Sequence, residues 1–309
     1  MTEVTYGQAN RRLLLVHAHP DDETISTGVT MAKYVAEGAE VALVTCTLGE
    51  EGEVLAEDLA HLAADRDDNL AQQRLIELDE AMAALGVVDH GRLGGDGRFR
   101  DSGMAYDDDG NAIARIESRV GSFWTTDLLL ATNELVPTIR SRRPQVLITY
   151  DENGGYGHPD HVQAHRVAMY AYVLAGAPSY RRDLGEAWTV PRVLWATVSE
   201  SWMREGIRAL RAAGDTETFK GIEPDGPMPP MVSPDADIAA VIDGRGSEHL
   251  KQKMAALRAH RSQITADGPF FAMDSTFGEG AWGQEHFRLG AGVPFPGTEW
   301  ADDLFAGLG

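Results

Sequence analysis

Short apolar runs alternate with longer helical patterns through the first 175 residues, and this alternation limits the fold more than any other feature of the chain. Residues 13–16 are apolar at every position, which is typical of a strand that is buried on both faces. A helical pattern follows over residues 24–37 and ends at Gly38, a residue type that commonly follows the last turn of a helix. The same alternation predicts further strands at residues 41–46, 87–93 and 146–150, and further helices at residues 59–85, 128–143 and 161–174. Strands that alternate with helices form βαβ units, so the sequence predicts an α/β fold with a mostly parallel sheet flanked by helices.

The chain after residue 175 is less regular. Strands are predicted at residues 193–198 and 237–242, and helices at residues 202–213 and 248–261. Five prolines predict a loop at residues 221–234, and the tail from Gly268, rich in glycine and aromatic residues, receives no assignment. We therefore predict a main α/β domain at residues 1–175 and a smaller irregular C-terminal region at residues 176–309, with helix 248–261 packed back on the main domain.

The charge balance excludes several classes of partner. The chain has 27 Lys and Arg against 48 Asp and Glu, a net charge of −21. Such a chain repels nucleic acid and anionic membranes, whose binding depends on basic side chains. No apolar stretch reaches the ~20 residues that span a bilayer, and residues 1–10 lack a basic-then-apolar signal pattern. We therefore expect a soluble, cytoplasmic protein that acts on a small molecule, with no nucleic-acid or membrane partner; the oligomeric state is not indicated.

The single cysteine limits the chemistry further. Cys46 cannot form an internal disulfide, and one thiol cannot build a cysteine-rich zinc site. Because Cys46 lies in a predicted strand, we expect a buried core residue rather than a reactive thiol.

Two polar segments follow predicted strands directly, at residues 17–23 (HAHPDDE) and 150–161 (YDENGGYGHPDH). Ligands of open α/β sheets bind beyond the carboxyl ends of the strands, which is where both segments lie. Each contains His-Pro-Asp, and proline is favoured at the first position of a helix. His19 and His158 then flank two helix starts, and Asp22 and His161 follow three residues later on the same side. Two such turns that face each other would gather these four candidate ligands, with Asp21 and Asp160 beside them.

Imidazole and carboxylate groups in this arrangement are suited to a divalent metal. A catalytic zinc site keeps three protein ligands and one open position, so four candidates are one too many, and the spacing does not say which is left out. Two histidines and one carboxylate also hold non-haem Fe²⁺. Two alternatives remain: the turns are ordinary helix caps, or the metal site is closed and structural.

The two segments resemble the signature of the LmbE-like (PIG-L) family of zinc-dependent N-acetylglucosamine deacetylases. Members of that family have a Rossmann-like α/β fold and remove acetyl groups from amino sugars. Residues 45–54 (TCTLGEEGEV) and 97–104 (GRFRDSGM) further resemble the branch that acts on N-acetylglucosaminyl-myo-inositol in mycothiol biosynthesis. Similar motifs run from residue 12 to about residue 165, and weakly over residues 259–263.

The resemblance implies a role for each matching residue. The zinc ligands would be His19, Asp22 and His161, in a site that also suits Fe²⁺, and residues 1–175 would be the catalytic domain. Asp21 would be the general base, and His158 a general acid or a stabiliser of the developing oxyanion. Asp160 would orient His158, and Tyr156 would polarise the amide carbonyl. The implied substrate contacts are Arg74, Asp101, Met104, Glu53 and Ser26.

These residues also have simpler interpretations. Arg74 would usually be a solvated charge on a helix, Met104 a packing residue, and residues 101–103 an ordinary turn. His260 is more typical of a structural residue. Glu23 is either a charge at a helix start or a partner of a metal-bound histidine.

The main alternative activity within the family is mycothiol S-conjugate amidase, and a broader amino-sugar deacetylase is a second. The amidases tend to have a lysine soon after the first motif and a proline where this chain has Gly157. Here the first lysine after that motif is Lys33, so both positions favour the deacetylase. Outside the family, the chain has no nucleotide-binding glycine motif, no H-E-x-x-H and no G-x-S-x-G.

Overall fold

The computed structural model describes residues 11–265 and 282–308. Its central sheet contains eight strands in the order β3-β2-β1-β6-β7-β10-β9, with β8 beside β7, and β4 pairs with β5 in a separate hairpin. The strands are β1 (Arg12–His17), β2 (Glu40–Thr45), β3 (Asp89–Arg92), β4 (Ala105–Tyr106), β5 (Ala112–Ile113), β6 (Val146–Thr149), β7 (Arg192–Ser199), β8 (Val232–Ser233), β9 (Ala240–Asp243) and β10 (Gln284–Gly292). All pairs of the large sheet are parallel except those that β10 makes with β7 and β9. The predicted mostly parallel α/β sheet is confirmed.

Helices cover both faces of the sheet. They are α1 (Asp22–Ala36), α2 (Leu70–Leu85), α3 (Leu128–Arg142), α4 (Pro159–Ala175), α5 (Glu200–Ala212) and α6 (Glu248–Ala259). Along β1, Leu13 and Leu15 pack with α1, α2 and α6, whereas Leu14 and Val16 pack with α3 and α4. Because successive side chains of a strand point to opposite faces, this central strand has to be apolar at every position. Cys46 is buried, as predicted, and burial raises the pKa of its thiol. No helix of the described segments is both long and apolar enough to cross a membrane.

One predicted helix was wrong over its first half. Instead of a helix over residues 59–85, residues 57–62 form a short 3₁₀ helix and α2 begins only at Leu70. Between them, Asp68 has a φ of 51°, a left-handed conformation that ends any helix there. Its carboxylate accepts hydrogen bonds from Arg100 (2.6 Å) and Arg119 (3.1 Å), so contacts with distant residues determine the path of this segment.

The C-terminal half joins the same sheet. β7 pairs with β6 across the predicted boundary at residue 175, and β10 inserts between β7 and β9. The described part of the tail thus contains a strand that the sequence did not indicate, while residues 268–281 lie outside the described residues. Helix α6 packs on α1 and α2 through Leu250, Met254 and Leu257. The division into two domains stays a prediction.

His286 on β10 provides a pH-dependent contribution to stability. Burial lowers the pKa of this imidazole to about 4, although the carboxylates of Asp235 and Asp243 oppose the shift. The unfolded chain therefore binds a proton near pH 6.5 that the folded protein does not, so stability falls as the pH falls below that value. Between pH 7 and pH 5, we expect the unfolding free energy of His286→Phe to fall by about 2 kcal/mol less than that of the wild type. Urea denaturation of both proteins at the two pH values measures the difference. An equal fall in the two proteins would contradict the prediction.

Candidate active site

The two His-Pro-Asp segments meet at one edge of the sheet. β1 and β6 are neighbouring parallel strands, so the residues that follow His17 and Thr149 leave the same edge side by side. Pro159 is the first residue of α4, and the Asp160 amide donates to Nδ1 of His158 at the helix cap (3.1 Å). The convergence predicted from the sequence is therefore observed.

Three ligand atoms form a small triangle at this edge. His19 Nδ1 lies 3.2 Å from His161 Nε2, and Asp22 Oδ2 lies 3.4 Å and 3.3 Å from those two nitrogens. Ligand atoms bound tetrahedrally to zinc at about 2.0–2.1 Å are about 3.3–3.4 Å from one another. The triangle therefore has the dimensions of three metal ligands around one open position. The ligand atoms of His19, His158 and His161 also lie within 4.8 Å of one another, so His158 faces the same centre.

The outer nitrogens of both ligand histidines are held by oxygen atoms. His19 Nε2 faces carboxylate oxygens of Asp160 (3.3 Å) and Asp101 (3.5 Å), and His161 Nδ1 lies 3.2 Å from the Gly154 carbonyl. These partners hold a proton on each outer nitrogen, which leaves the inner nitrogens as the atoms that can bind a metal. Despite the opposing effect of burial, His161 and His19 hold the pKa of Asp22 well below its usual range. Asp22 is thus in the state that binds a metal. Against the effect of burial, Asp101, Asp160 and Asp22 hold the pKa of His19 well above its usual range, so a metal that binds there displaces a proton from this imidazole.

Tyr150 is a site residue that sequence reasoning missed. Its hydroxyl donates to Asp22 Oδ2 (2.7 Å) and accepts the Ala18 amide proton (2.8 Å). Its ring stacks on His161 with 4.4 Å between centroids and 18° between planes. One side chain therefore supports two of the three ligands, and its place directly after a buried strand was the available signal.

We expect Tyr150→Phe to weaken metal binding by about 10–100-fold, the usual effect of losing a partner of a metal ligand. The phenyl ring keeps the stacking on His161 but leaves Asp22 without its hydroxyl donor. Competition with a chelating dye measures the affinity, and circular dichroism checks the fold. An unchanged metal affinity would show that Asp22 does not need this hydrogen bond.

Asp21 lies beside the triangle in an unusual backbone conformation. Its φ is 121° and its ψ is −35°, a region that residues other than glycine rarely adopt and that is found at functional sites. Its carboxylate contacts Arg74 Nη2 at 3.0 Å. Burial raises the pKa of Asp21 to about 6 against the opposing charge of Arg74. A carboxylate with that affinity for protons is suited to proton transfer near neutral pH.

Arg74 and Asp101 are buried beside Asp21 and His19 respectively. Arg74 is 2% exposed and also donates to the carbonyls of Pro20 and Gly49. Asp101 is 3% exposed; it faces His19 and accepts the Gly103 amide proton (2.8 Å). The structure therefore shows each of them engaged with protein groups, and their predicted contact with substrate stays a prediction.

His158, Asp160 and Tyr156 lie against the two histidines of the triangle. Burial and the neighbouring rings of His19 and His161 lower the pKa of His158 to about 2, so this imidazole is neutral. Since Nδ1 accepts the Asp160 amide proton, the ring proton of His158 is on Nε2. The Asp160 carboxylate faces His19 and Ser102 rather than His158, so Asp160 orients His158 through its backbone. Tyr156 is 41% exposed, and its ring lies 5.1 Å from that of His161.

A cavity of about 270 Å³ opens beside Asp22, His161 and Tyr156. Ser26 lines it, whereas Arg74, Asp101, Met104 and Glu53 are absent from its lining among the described residues; the predicted contact of each with substrate stays a prediction. Its far wall is apolar and comes from α5 and the proline-rich segment after it, with Trp202, Met203, Phe219 and Met231. Sequence reasoning missed this wall, because a loop prediction does not say where the loop packs. Glu53 is exposed and Met104 half-buried.

Comparison with known proteins agrees with this geometry. A family model described as PIG-L, GlcNAc-PI de-N-acetylase, matches residues 14–172. The chain is 58% identical over 300 residues to the 1D-myo-inositol 2-acetamido-2-deoxy-alpha-D-glucopyranoside deacetylase of Kribbella flavida, covering 97% of this chain and 98% of that protein. It is 56% identical to the protein of the same name from Nocardioides sp., covering 97% and 99%. Among solved structures, the N,N'-diacetylchitobiose deacetylase from Pyrococcus horikoshii, complexed with its inhibitor, superimposes with a TM-score of 0.57 at 18% identity, covering 92% of this chain and 84% of that one. At that identity the likeness shows the fold.

Proposed function

The chain belongs to the PIG-L family of GlcNAc-PI de-N-acetylases, and we propose that it removes the acetyl group of N-acetylglucosaminyl-myo-inositol to give glucosaminyl-inositol and acetate, a step of mycothiol biosynthesis. It is a deacetylase, a hydrolase of a linear amide. The observation that carries the proposal is the triangle of His19, Asp22 and His161 with Asp21 beside it, in a chain similar over nearly its whole length to deacetylases of that name. The cytoplasmic location expected from the sequence is part of the same proposal.

We propose that the triangle holds one Zn²⁺, or Fe²⁺ in the same site. Two imidazole nitrogens and one carboxylate oxygen suit both ions. A divalent metal bound there polarises the amide carbonyl and lowers the pKa of its water. The support for this assignment is the spacing of the ligand atoms and the oxygen partners of both histidines.

The remaining chemistry belongs to the side chains. Asp21 accepts a proton from the attacking water, whose oxygen bonds to the acyl carbon. His158 donates a hydrogen bond from Nε2 to the oxygen that gains negative charge, and the Tyr156 hydroxyl is the second donor. When the carbon–nitrogen bond breaks, the proton on Asp21 passes to the leaving amine, which leaves acetate and the free amino sugar. The implied role of His158 as a stabiliser of the oxyanion is thus preferred to that of an acid.

We expect the inositol half of the substrate to raise kcat/KM by well over tenfold relative to N-acetylglucosamine alone. Binding energy from a part of the substrate that does not react serves to orient the reacting amide. Amine release from the two compounds measures the difference. The methyl α-glycoside of N-acetylglucosamine is the matched control, because it has the glycosidic linkage without inositol. Equal values for all three compounds would indicate a general amino-sugar deacetylase instead.

The apolar wall of the cavity favours a second, weaker activity. A volume of about 270 Å³ exceeds what an acetyl group fills, and Trp202, Phe219 and Met231 offer apolar contact to a larger acyl group. We therefore propose a minor amidase activity on mycothiol S-conjugates. Cleavage of such a conjugate at a higher rate than the deacetylation of N-acetylglucosaminyl-myo-inositol would make the amidase the main activity.

A further inference from the structure

A buried carboxylate and a histidine from the far end of the chain lie directly behind Asp21. Glu23, in the first turn of α1, is fully buried, and its Oε2 accepts the Asp21 amide proton (2.9 Å). Its other oxygen, Oε1, is held by His260 Nε2 (3.0 Å) and Thr24 Oγ1 (2.7 Å). His260 is also fully buried. The Glu23 carboxylate therefore links His260 to the backbone amide of Asp21.

The backbone of Asp21 needs such a support. A residue other than glycine at a φ of 121° carries a conformational cost, and such a conformation persists only where surrounding contacts hold it. Glycine would adopt the same conformation freely but would remove the carboxylate. The amide proton of Asp21 points back to Glu23, and Arg74 holds its carboxylate from the side. Backbone and side chain of Asp21 are thus fixed by two different partners.

The C-terminal region brings His260 to this place. His260 follows the last residue of α6, which packs on α1 and α2, and its carbonyl accepts amide protons from Gln263 (3.0 Å) and Ile264 (2.8 Å). The loop after α6 is tied to α2, because the Glu77 carboxylate accepts both the amide (3.0 Å) and the hydroxyl (2.6 Å) of Ser262. The ring of His260 is held separately, because its Nε2 contacts Glu23 Oε1 (3.0 Å) and Thr24 Oγ1 (3.4 Å), so its position relative to Glu23 does not depend on the tie to Glu77.

We propose that His260 and Glu23 are positioning residues for Asp21: His260 fixes the Glu23 carboxylate, and Glu23 holds the strained Asp21 backbone so that its carboxylate is directed at the attacking water. Neither residue touches the triangle of ligand atoms. This inference rests on the proposed role of Asp21 as the base. It also assigns a function to the C-terminal region, which supplies the group that completes the catalytic loop.

The experiment compares His260→Ala and His260→Gln with a matched control, Glu77→Gln, in the metal-loaded full-length protein. Glu77→Gln loosens the same C-terminal loop without touching Glu23. We expect His260→Ala to lower kcat by about 10–100-fold with KM changed less than twofold, because a displacement of about 1 Å at a catalytic group has effects of that size. Metal content stays at the wild-type level. His260→Gln, whose amide can donate to Glu23 Oε1, recovers most of kcat, and Glu77→Gln stays within about twofold of wild type.

A second readout does not depend on activity. In protein labelled with ¹⁵N-aspartate, the Asp21 amide, bonded to a carboxylate, is expected at low field, and His260→Ala is expected to move it while Glu77→Gln leaves it in place. An unmoved Asp21 resonance in His260→Ala overturns the proposal whatever the rates are. A fall in kcat that Glu77→Gln reproduces also overturns it, because the effect would then be one of general loop stability. If the wild-type protein proves inactive on the amino sugar, the proposed function fails, while the resonance shift still tests the contact.

Discussion

Asp21→Ala is expected to lower kcat by about 10²–10⁴-fold, the range typical of lost general base catalysis, while the protein keeps its metal. The ligand atoms come from His19, Asp22 and His161, and Asp21 stands beside them with its carboxylate on Arg74. Its removal therefore takes away the group that accepts the proton of water without removing a ligand. The alanine side chain also leaves the Glu23 hydrogen bond to the backbone of residue 21 in place.

Steady-state amine release and elemental analysis of the same preparation separate the two effects. Asp21→Asn is the matched control, since it keeps the size and the contact with Arg74 but lacks a basic oxygen, and it is expected to be as inactive as Asp21→Ala. Turnover within about threefold of wild type in either variant would show that another group is the base. Loss of metal together with turnover would instead make Asp21 part of the metal site.

Local signals of the sequence predicted where the two His-Pro-Asp segments leave the sheet. A strand buried on both faces requires a continuous apolar run, and Pro159 is the first residue of α4, as its missing amide proton predicts. The same expectation was wrong for Pro20, because α1 begins only at Asp22, with Asp21 rather than His19 at its cap. Both signals lie within a few residues of the groups they position. The parallel βαβ arrangement predicts only that both segments leave the same edge of the sheet. β1 and β6 are not consecutive strands, so the strand order, which the alternation does not give, brings His19 to His161.

Features that depend on distant contacts were not predictable in the same way. The helix expected before Leu70 is replaced by a loop because Arg100 and Arg119 bind Asp68, and no pattern within the segment indicates that. β10 forms because β7 and β9 offer their edges to it. The contact between Glu23 and His260 joins residues 237 positions apart, so His260 looked like an ordinary structural residue.

His161→Ala is expected to remove most of the bound metal and with it essentially all turnover. His161 Nε2 lies within 3.3 Å of both other ligand atoms, so its loss leaves one imidazole and one carboxylate, two ligands where a catalytic zinc site has three.

His158→Ala is the matched control for the cavity that the substitution creates. It also deletes a buried imidazole of the same cluster, but one that lies outside the triangle. We expect His158→Ala to retain the metal and to lose turnover alone, since it removes a hydrogen-bond donor to the developing oxyanion. Elemental analysis and a competition titration of the two variants decide the assignment. Full occupancy in His161→Ala, or metal loss in His158→Ala but not in His161→Ala, would transfer the third ligand from His161 to His158.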